Sequence, residues 1–210
     1  MPAQISSLKS PARRRLLALC VGATLALGAG AISAQPRLET AVFSGGCFWT
    51  MEHGLEAIPG VVRAVSGYAG GNVAHPTYEQ VNTETTGHLE SVQVTYDPAK
   101  ITYAQLVDRY WRLIDPTDDG GQACDRAPSY HSAIFVSSPA QKQIVERSEA
   151  ALLAGPLRGK HITTFVRPVT QFWPAEEYHQ HFADRNPVRY AAYRVGCGRD
   201  TILKALWGGR

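Results

Sequence analysis

A cysteine between two glycines and two aromatic residues, Gly45-Gly46-Cys47-Phe48-Trp49, is the stretch of this chain best equipped for chemistry. The apolar run Ala41-Val42-Phe43 leads into it and reads as a short strand, and the glycines allow a sharp turn. Beyond the cysteine, Phe48, Met51, Leu55 and Ile58 recur at helical spacing until Pro59-Gly60 ends the pattern. Cys47 is therefore expected at a helix N-terminus, where unpaired backbone N–H groups and the helix dipole favour an anion. A thiol in that place is expected to have a lowered pKa and to act as a nucleophile. The plainer alternative is a buried cysteine packed between aromatic rings.

A second group is set by strand alternation. In Leu89-Glu90-Ser91-Val92-Gln93-Val94-Thr95-Tyr96, Glu90 shares a face with Val92, Val94 and Tyr96. That apolar face should be the inner one. A carboxyl there loses solvation, its pKa rises, and it becomes a general acid near neutral pH. The alternative is a frayed first residue pointing at water. The chain has four cysteines: Cys20, Cys47, Cys124 and Cys197. Cys20 falls in the N-terminal apolar stretch. The other three form no C-x-x-C pair, which argues against a structural zinc site. An odd number at wide spacing is no disulfide framework; it leaves one thiol free or one pair that cycles.

The elements that must hold these groups alternate between the two periodicities. Val61 to Gly71 reads as a strand followed by a loop through His75-Pro76, then comes the Glu90 strand. Thr102 and Gln105 make a capping-box pair before the helical stripe Tyr103, Leu106, Val107, Tyr110 and Ile114. Asp115 to Pro128 is a polar loop carrying Cys124 and Asp125, and Tyr130 to Val136 is a strand. Ser138 and Pro139 open another helix, with Ile144, Val145, Leu152 and Leu153 on its apolar side and Gly155-Pro156 at its end. His161 to Val169 reads as a strand and Pro174 to Phe182 as a short helix. The tail from about residue 187 is expected to be flexible, with a last helical turn or two near Asp200-Thr201. The strand after the Tyr78 loop has no helix before it, which argues against a regular doubly wound sheet. The expected class is α+β: a single domain with a mixed sheet and packed helices.

Residues 1–34 have the form of a secretion signal. Lys9, Arg13, Arg14 and Arg15 precede an apolar stretch from Leu16 to Ala31, and Ala31-Ile32-Ser33-Ala34 offers cleavage before Gln35. An uncleaved anchor is the alternative. The full chain has 21 basic and 18 acidic residues, a net charge of +3. Removing the signal leaves 17 basic against 18 acidic residues, or −1. The basic balance thus belongs to the signal, and no nucleic-acid partner is expected. The domain at 35–210 is expected to work outside the cytoplasm, in the periplasm.

Gly-Cys-Phe-Trp after a strand resembles the A-type peptide methionine sulfoxide reductases. Gly67-Tyr68-Ala69-Gly70-Gly71, Pro76-Thr77-Tyr78-Glu79, Thr86-Gly87-His88-Leu89-Glu90, Asp125 with Ser129-Tyr130, and Ala175-Glu176-Glu177-Tyr178-His179-Gln180 follow in the family's order, over roughly residues 40–190. The resemblance implies a ferredoxin-like plan with long coil segments. It also implies thiol-dependent reduction of methionine S-sulfoxide, free or in proteins, without metal or organic cofactor. Cys47 would attack the sulfur and Glu90 would protonate the departing oxygen. Phe48 and Trp49 would hold the methyl group, Tyr78 and Tyr130 would bond the oxygen, and Asp125 would place the substrate backbone or a water. A sulfenic acid on Cys47 would then condense with a second cysteine, and a thioredoxin-like dithiol would reset the enzyme, acting as a monomer in repair of oxidised proteins.

The chain departs from the family's pattern at several places. Thr50 replaces a glycine, on what should be an exposed helix face. Asn82, Ala127 and His131 stand where many relatives have Cys, Gly and Arg. Tyr190-Ala191 stands where many have Tyr-Cys with the recycling cysteine. Cys197 in Gly196-Cys197-Gly198 is taken as the substitute, with Cys124 as rival. A Cys47–Cys197 disulfide is the expected oxidised form. Glu177, His179 and His181 are given packing roles in preference to metal binding. Two rival functions are a Cys–His peptidase pairing Cys47 with His88 or His179, and a non-catalytic exported domain with a structural Cys47–Cys197 disulfide.

Overall fold

The computed structural model describes residues 37–208, so the signal expected over 1–34 lies outside the described residues. The strands are β1 (Glu39–Ser44), β2 (Val61–Ala69), β3 (Leu89–Tyr96), β4 (Ala133–Val136), β5 (Phe165–Pro168) and β6 (Phe172–Pro174). They form one sheet in the order β5-β4-β1-β3-β2-β6. The helices are α1 (Phe48–Glu56), α2 (Tyr78–Val81), α3 (Tyr103–Trp111), α4 (Pro139–Ala154), α5 (Phe182–Arg185), α6 (Pro187–Cys197) and α7 (Arg199–Trp207). The inner strands β4-β1-β3-β2 are antiparallel throughout, with α1 joining β1 to β2 and α3 on the path from β3 to β4. This is the ferredoxin-like plan. It is extended by β5, parallel to β4, and by β6, antiparallel to β2, which makes the sheet mixed.

Alternation sets the two faces. Ala41 and Phe43 of β1 and Val92, Val94 and Tyr96 of β3 join the main core with Leu55 of α1 and Leu106 and Tyr110 of α3. Val42 points the other way, into a smaller cluster with Leu89, Phe135 and Phe172. Glu90 lies on the main-core side, as the alternation requires, and is 2 % exposed. Tyr110 links helix layer and sheet: its ring stacks on Phe43 at 4.8 Å, and its hydroxyl donates to the Ser44 carbonyl at 2.8 Å. The capping box of Thr102 and Gln105 and the Ser138 cap before Pro139 form as read from the sequence.

The strand expected over His161–Val169 is confined to Phe165–Pro168, and the segment expected as a loop before the Glu90 strand contains the short α2. Three further segments differ from expectation. The polar loop runs on through a 3-10 turn, Pro128–Tyr130, before the strand begins at Ala133. The helix expected at Pro174–Phe182 is instead the end of β6, a 3-10 turn at Glu177–His179 and the short α5. Pairing with the edge of β2 holds Phe172–Pro174 extended there. The C-terminal segment forms two helices, α6 and α7, rather than a last turn or two. Trp207 Nε1 donates to the Ile114 carbonyl at 3.0 Å, which docks the end of α7 on the body of the domain.

Candidate active site

Cys47 is the residue that caps α1. Its carbonyl accepts from Thr50 N at 3.1 Å and Met51 N at 3.3 Å, and the preceding Gly46 N donates to the Tyr130 carbonyl at 3.1 Å. Gly46 has φ +78°, and a Cβ there would lie 2.6 Å from Gln122 and 2.7 Å from Arg199 Nη1. Glycine is therefore required both for the turn and for the close approach of two neighbours. The thiol is free, and Cys47 is 8 % exposed.

The lowered pKa expected of Cys47 is not found. Burial raises it, and the carboxylates of Glu90 and Asp125 raise it further, against the lowering effect of the Trp49 N–H and the Tyr193 hydroxyl. The helix N-terminus does act on the thiol, but desolvation outweighs it. Moreover, the first N–H of α1, that of Phe48, is spent on Glu90 Oε2 at 2.9 Å. That bond places the carboxyl one residue from the thiol. Burial pushes the Glu90 pKa up to about 8, with Asp125 and Glu84 adding to the rise and the Phe48 N–H opposing it. The carboxyl is thus largely protonated at neutral pH and can donate.

Two tyrosines close around this pair. Tyr78, at the start of α2, is held by Glu176, whose Oε1 accepts the Tyr78 N–H at 2.8 Å while Oε2 accepts the Tyr68 hydroxyl at 2.9 Å. Tyr130 follows Ser129, whose N–H and hydroxyl both donate to Glu84 at 2.8 Å. Both phenols have raised pKa values, first from burial and also from the nearby Glu90 and Cys47, so both remain hydrogen-bond donors. Asp125 Oδ2 accepts the Tyr193 hydroxyl at 2.6 Å, and Tyr193 also lies against the Cys47 thiol.

The aromatic wall is continuous. Phe48 is buried with Tyr78 at 6.4 Å, Tyr68 at 5.9 Å and His179 at 4.9 Å between ring centroids. Trp49 stacks on Phe182 at 3.6 Å and meets Tyr193 edge-on at 6.1 Å. Thr50, expected on an exposed face, is buried, and its hydroxyl has no partner. Helix α1 is covered there, so the missing glycine leaves a polar atom inside.

His88, His179 and His181 each have a defined partner. His88 accepts from Gly71 N at 3.2 Å, and its other ring nitrogen meets the Val73 carbonyl at 2.8 Å. His179 Nδ1 accepts from Trp49 Nε1 at 3.0 Å. His181 Nδ1 is 3.2 Å from Glu56, and its N–H donates to Glu52 Oε2 at 3.0 Å. These bonds leave the thiol facing acids and phenols and give the peptidase reading no support.

The cysteine pairing differs from expectation. The structure joins Cys197 to Cys124, 73 residues apart, and leaves Cys47 free. The Cys124 N–H points at Cys197 Sγ, 3.1 Å away. A structural Cys47–Cys197 disulfide is therefore ruled out in this state. The site as read from the sequence comes together at Cys47, Glu90, Phe48, Trp49, Tyr78, Asp125 and Tyr130, with Cys197 tied to the residue before Asp125. Sequence reasoning missed Tyr193 and Arg199. Reading α6 as a helix would have put Tyr193 one turn before Cys197, on the same face.

The sequence model described as peptide methionine sulfoxide reductase matches residues 39–210. A peptide methionine sulfoxide reductase MsrA 2 of Caulobacter vibrioides is 54 % identical over 197 residues, covering 93 % of this chain and 100 % of the relative. A solved methionine sulfoxide reductase A of Corynebacterium diphtheriae superposes with a TM-score of 0.65 at 34 % identity, over 74 % of this chain and 78 % of that one. The reduced form of Mxr1 from Saccharomyces cerevisiae gives 0.67 at 31 % identity, over 72 % and 87 %. With a family model matched over residues 39–210 and a relative 54 % identical along its whole length, the chain belongs to the peptide methionine sulfoxide reductase family.

Proposed function

We propose that this protein reduces methionine S-sulfoxide, free or in proteins, to methionine at the expense of a dithiol. The observation that carries this reading is a free, buried Cys47 thiol followed directly by Phe48, whose N–H donates at 2.9 Å to the buried Glu90 carboxyl. Cys47 attacks the sulfoxide sulfur while Glu90 gives its proton to the oxygen. The oxygen passes to Cys47, two electrons pass to the substrate sulfur, and the thiol's proton restores Glu90. Methionine leaves, and Cys47 is left as a sulfenic acid. Tyr78 and Tyr130 hydrogen-bond the oxygen, Phe48 and Trp49 hold the methyl group, and Asp125 orients the substrate backbone or a water. No metal or organic cofactor takes part.

Resolution follows from the cysteine placement. The Cys197 thiol attacks Cys47, forming a disulfide and releasing the oxygen as water. Cys124 then attacks Cys197, which frees Cys47 and leaves the Cys124–Cys197 disulfide as the form a thioredoxin-like dithiol reduces. The pairing of these two cysteines supports that order. With a thioredoxin as reductant, Cys197→Ser should reduce one equivalent of sulfoxide per enzyme and then stall as a sulfenic acid. Normal turnover in that variant, with Cys47 joined to Cys124 on peptide mapping, would move the resolving role to Cys124.

Weighing the product of a sulfoxide-containing peptide incubated with the enzyme and a dithiol tests the activity itself; loss of one oxygen is expected. From a racemic sulfoxide only the S epimer should be consumed. Only one epimer places its methyl on Phe48 and Trp49 while its oxygen meets Glu90, Tyr78 and Tyr130, and the family resemblance makes it S. Equal consumption of both epimers would contradict this arrangement. The protein acts as a monomer, without nucleic acid, in the periplasm, where it repairs oxidised proteins. The basic head and apolar stretch before Ala34 support export, and N-terminal sequencing of the secreted form should begin at Gln35.

A further inference from the structure

Arg199 opens α7, two residues after Cys197, and it is 2 % exposed. Its Nη2 donates to the carbonyls of Gly45 and Leu113, each at 2.7 Å, while Nε and Nη1 have no partner. Among the described residues no carboxylate lies within ion-pair distance of it; the adjacent Asp200 pairs with Arg194. A buried guanidinium without a counterion is unfavourable, and persists where some other feature repays it. The guanidinium sits against the turn that delivers Cys47, since Nη1 would lie 2.7 Å from a Cβ on Gly46.

The other groups facing the Cys47 thiol carry negative or no charge. They are Glu90 from β3, Asp125 from the long loop, Tyr193 from α6, Tyr78 from α2 and Tyr130 from the 3-10 turn before β4. None supplies a cation. Tyr193, Cys47 and Asp125 each favour the charged form of Arg199, against burial, which opposes it most, and Arg194.

We propose that Arg199 is a positioning residue for the reaction: it clamps the Gly45–Gly46 turn and supplies the positive charge that balances the anion formed on Cys47. This rests on Cys47 being the nucleophile. The reaction then depends on the C-terminal helix being seated, and that seating also fixes the segment bearing Cys197. The device links the part of the chain that resolves the sulfenic acid to the part that forms it.

Alkylation reads this without turnover, so it stands apart from whether sulfoxides are the substrate. In the reduced full chain, the rate of iodoacetamide modification at Cys47 at one fixed, mildly alkaline pH is followed by the mass of the Cys47 peptide. Arg199→Gln keeps donors but removes the charge, and should leave the thiolate about tenfold scarcer at that pH, slowing modification about tenfold. Arg199→Lys keeps the charge and should hold the rate within about threefold of wild type. An unchanged rate in Arg199→Gln, even with a lower melting temperature by circular dichroism, marks a merely structural role and overturns the proposal. If Arg199→Gln does not fold, ligation at Cys197 of a synthetic segment 197–210 bearing citrulline at 199 gives a near-isosteric neutral side chain, and the same two outcomes decide.

Discussion

Cys47→Ser should lose sulfoxide reduction entirely, down to the uncatalysed background, while the fold stays intact. The hydroxyl would occupy the same place at the start of α1, beside the same Trp49 N–H and Tyr193 hydroxyl. What it lacks is a sulfur that can accept the oxygen. The reaction transfers oxygen from one sulfur to another, and a serine has no oxidation state to receive it. Cys47 is only 8 % exposed, so the substitution costs stability of the order of 1 kcal/mol, typical of a single conservative change. A melting temperature near that of wild type, together with no product by mass, is the expected pair of results. Retained reduction in the serine variant would remove Cys47 from the role of nucleophile and with it the proposed mechanism.

How far the chain could be read without its structure follows the range over which each signal acts. The start of α1, the Thr102 and Ser138 caps and the inner face of β3 depend on residues within a few positions of each other, and all formed as read. The Glu90 alternation put the carboxyl on the core face, and its raised pKa followed from that burial. The Cys47 pKa was misread because the local signal, a helix N-terminus, is opposed first by burial and then by Glu90 of β3 and Asp125 of the long loop. Their proximity is a product of tertiary folding. The segment from Pro174 was misread for a related reason, since Phe172–Pro174 is extended by its pairing with β2, over 100 residues earlier in the chain. Arg199 and Tyr193 were invisible for the same cause. An arginine in a C-terminal tail reads as a solvated charge, and only the packing of α7 shows it beneath the Gly45–Gly46 turn. Family resemblance carried the reading across Tyr78, Asp125 and Tyr130, whose spacing alone points to nothing. It did not reach the C-terminal cysteines, where this chain departs from its relatives' pattern.

Glu90→Gln should slow turnover by about two to four orders of magnitude at neutral pH, the range ascribed to a positioned general acid. Glutamine fits the same space, and its carbonyl oxygen can accept the Phe48 N–H that Glu90 Oε2 accepts at 2.9 Å. It cannot protonate the sulfoxide oxygen. The pH profile separates this role from packing. In wild type the active form of Glu90 is the neutral one, so the rate should fall as pH rises through about 8, where the carboxyl ionises. The Gln variant has nothing to ionise and should lack that limb. Stability has the same sign. Burial raises the folded pKa, so Glu90 contributes most when pH lies below the unfolded carboxylate value. That contribution drains away as pH climbs towards about 8. The Gln variant avoids this loss, and at pH near 8 it should melt no lower than wild type. A variant that keeps full rate and the alkaline limb would assign the proton to another group, with Tyr78 and Tyr130 next in reach of the oxygen. A variant that loses rate but also melts lower at alkaline pH would show that the carboxylate is held charged, contrary to a burial that favours the acid.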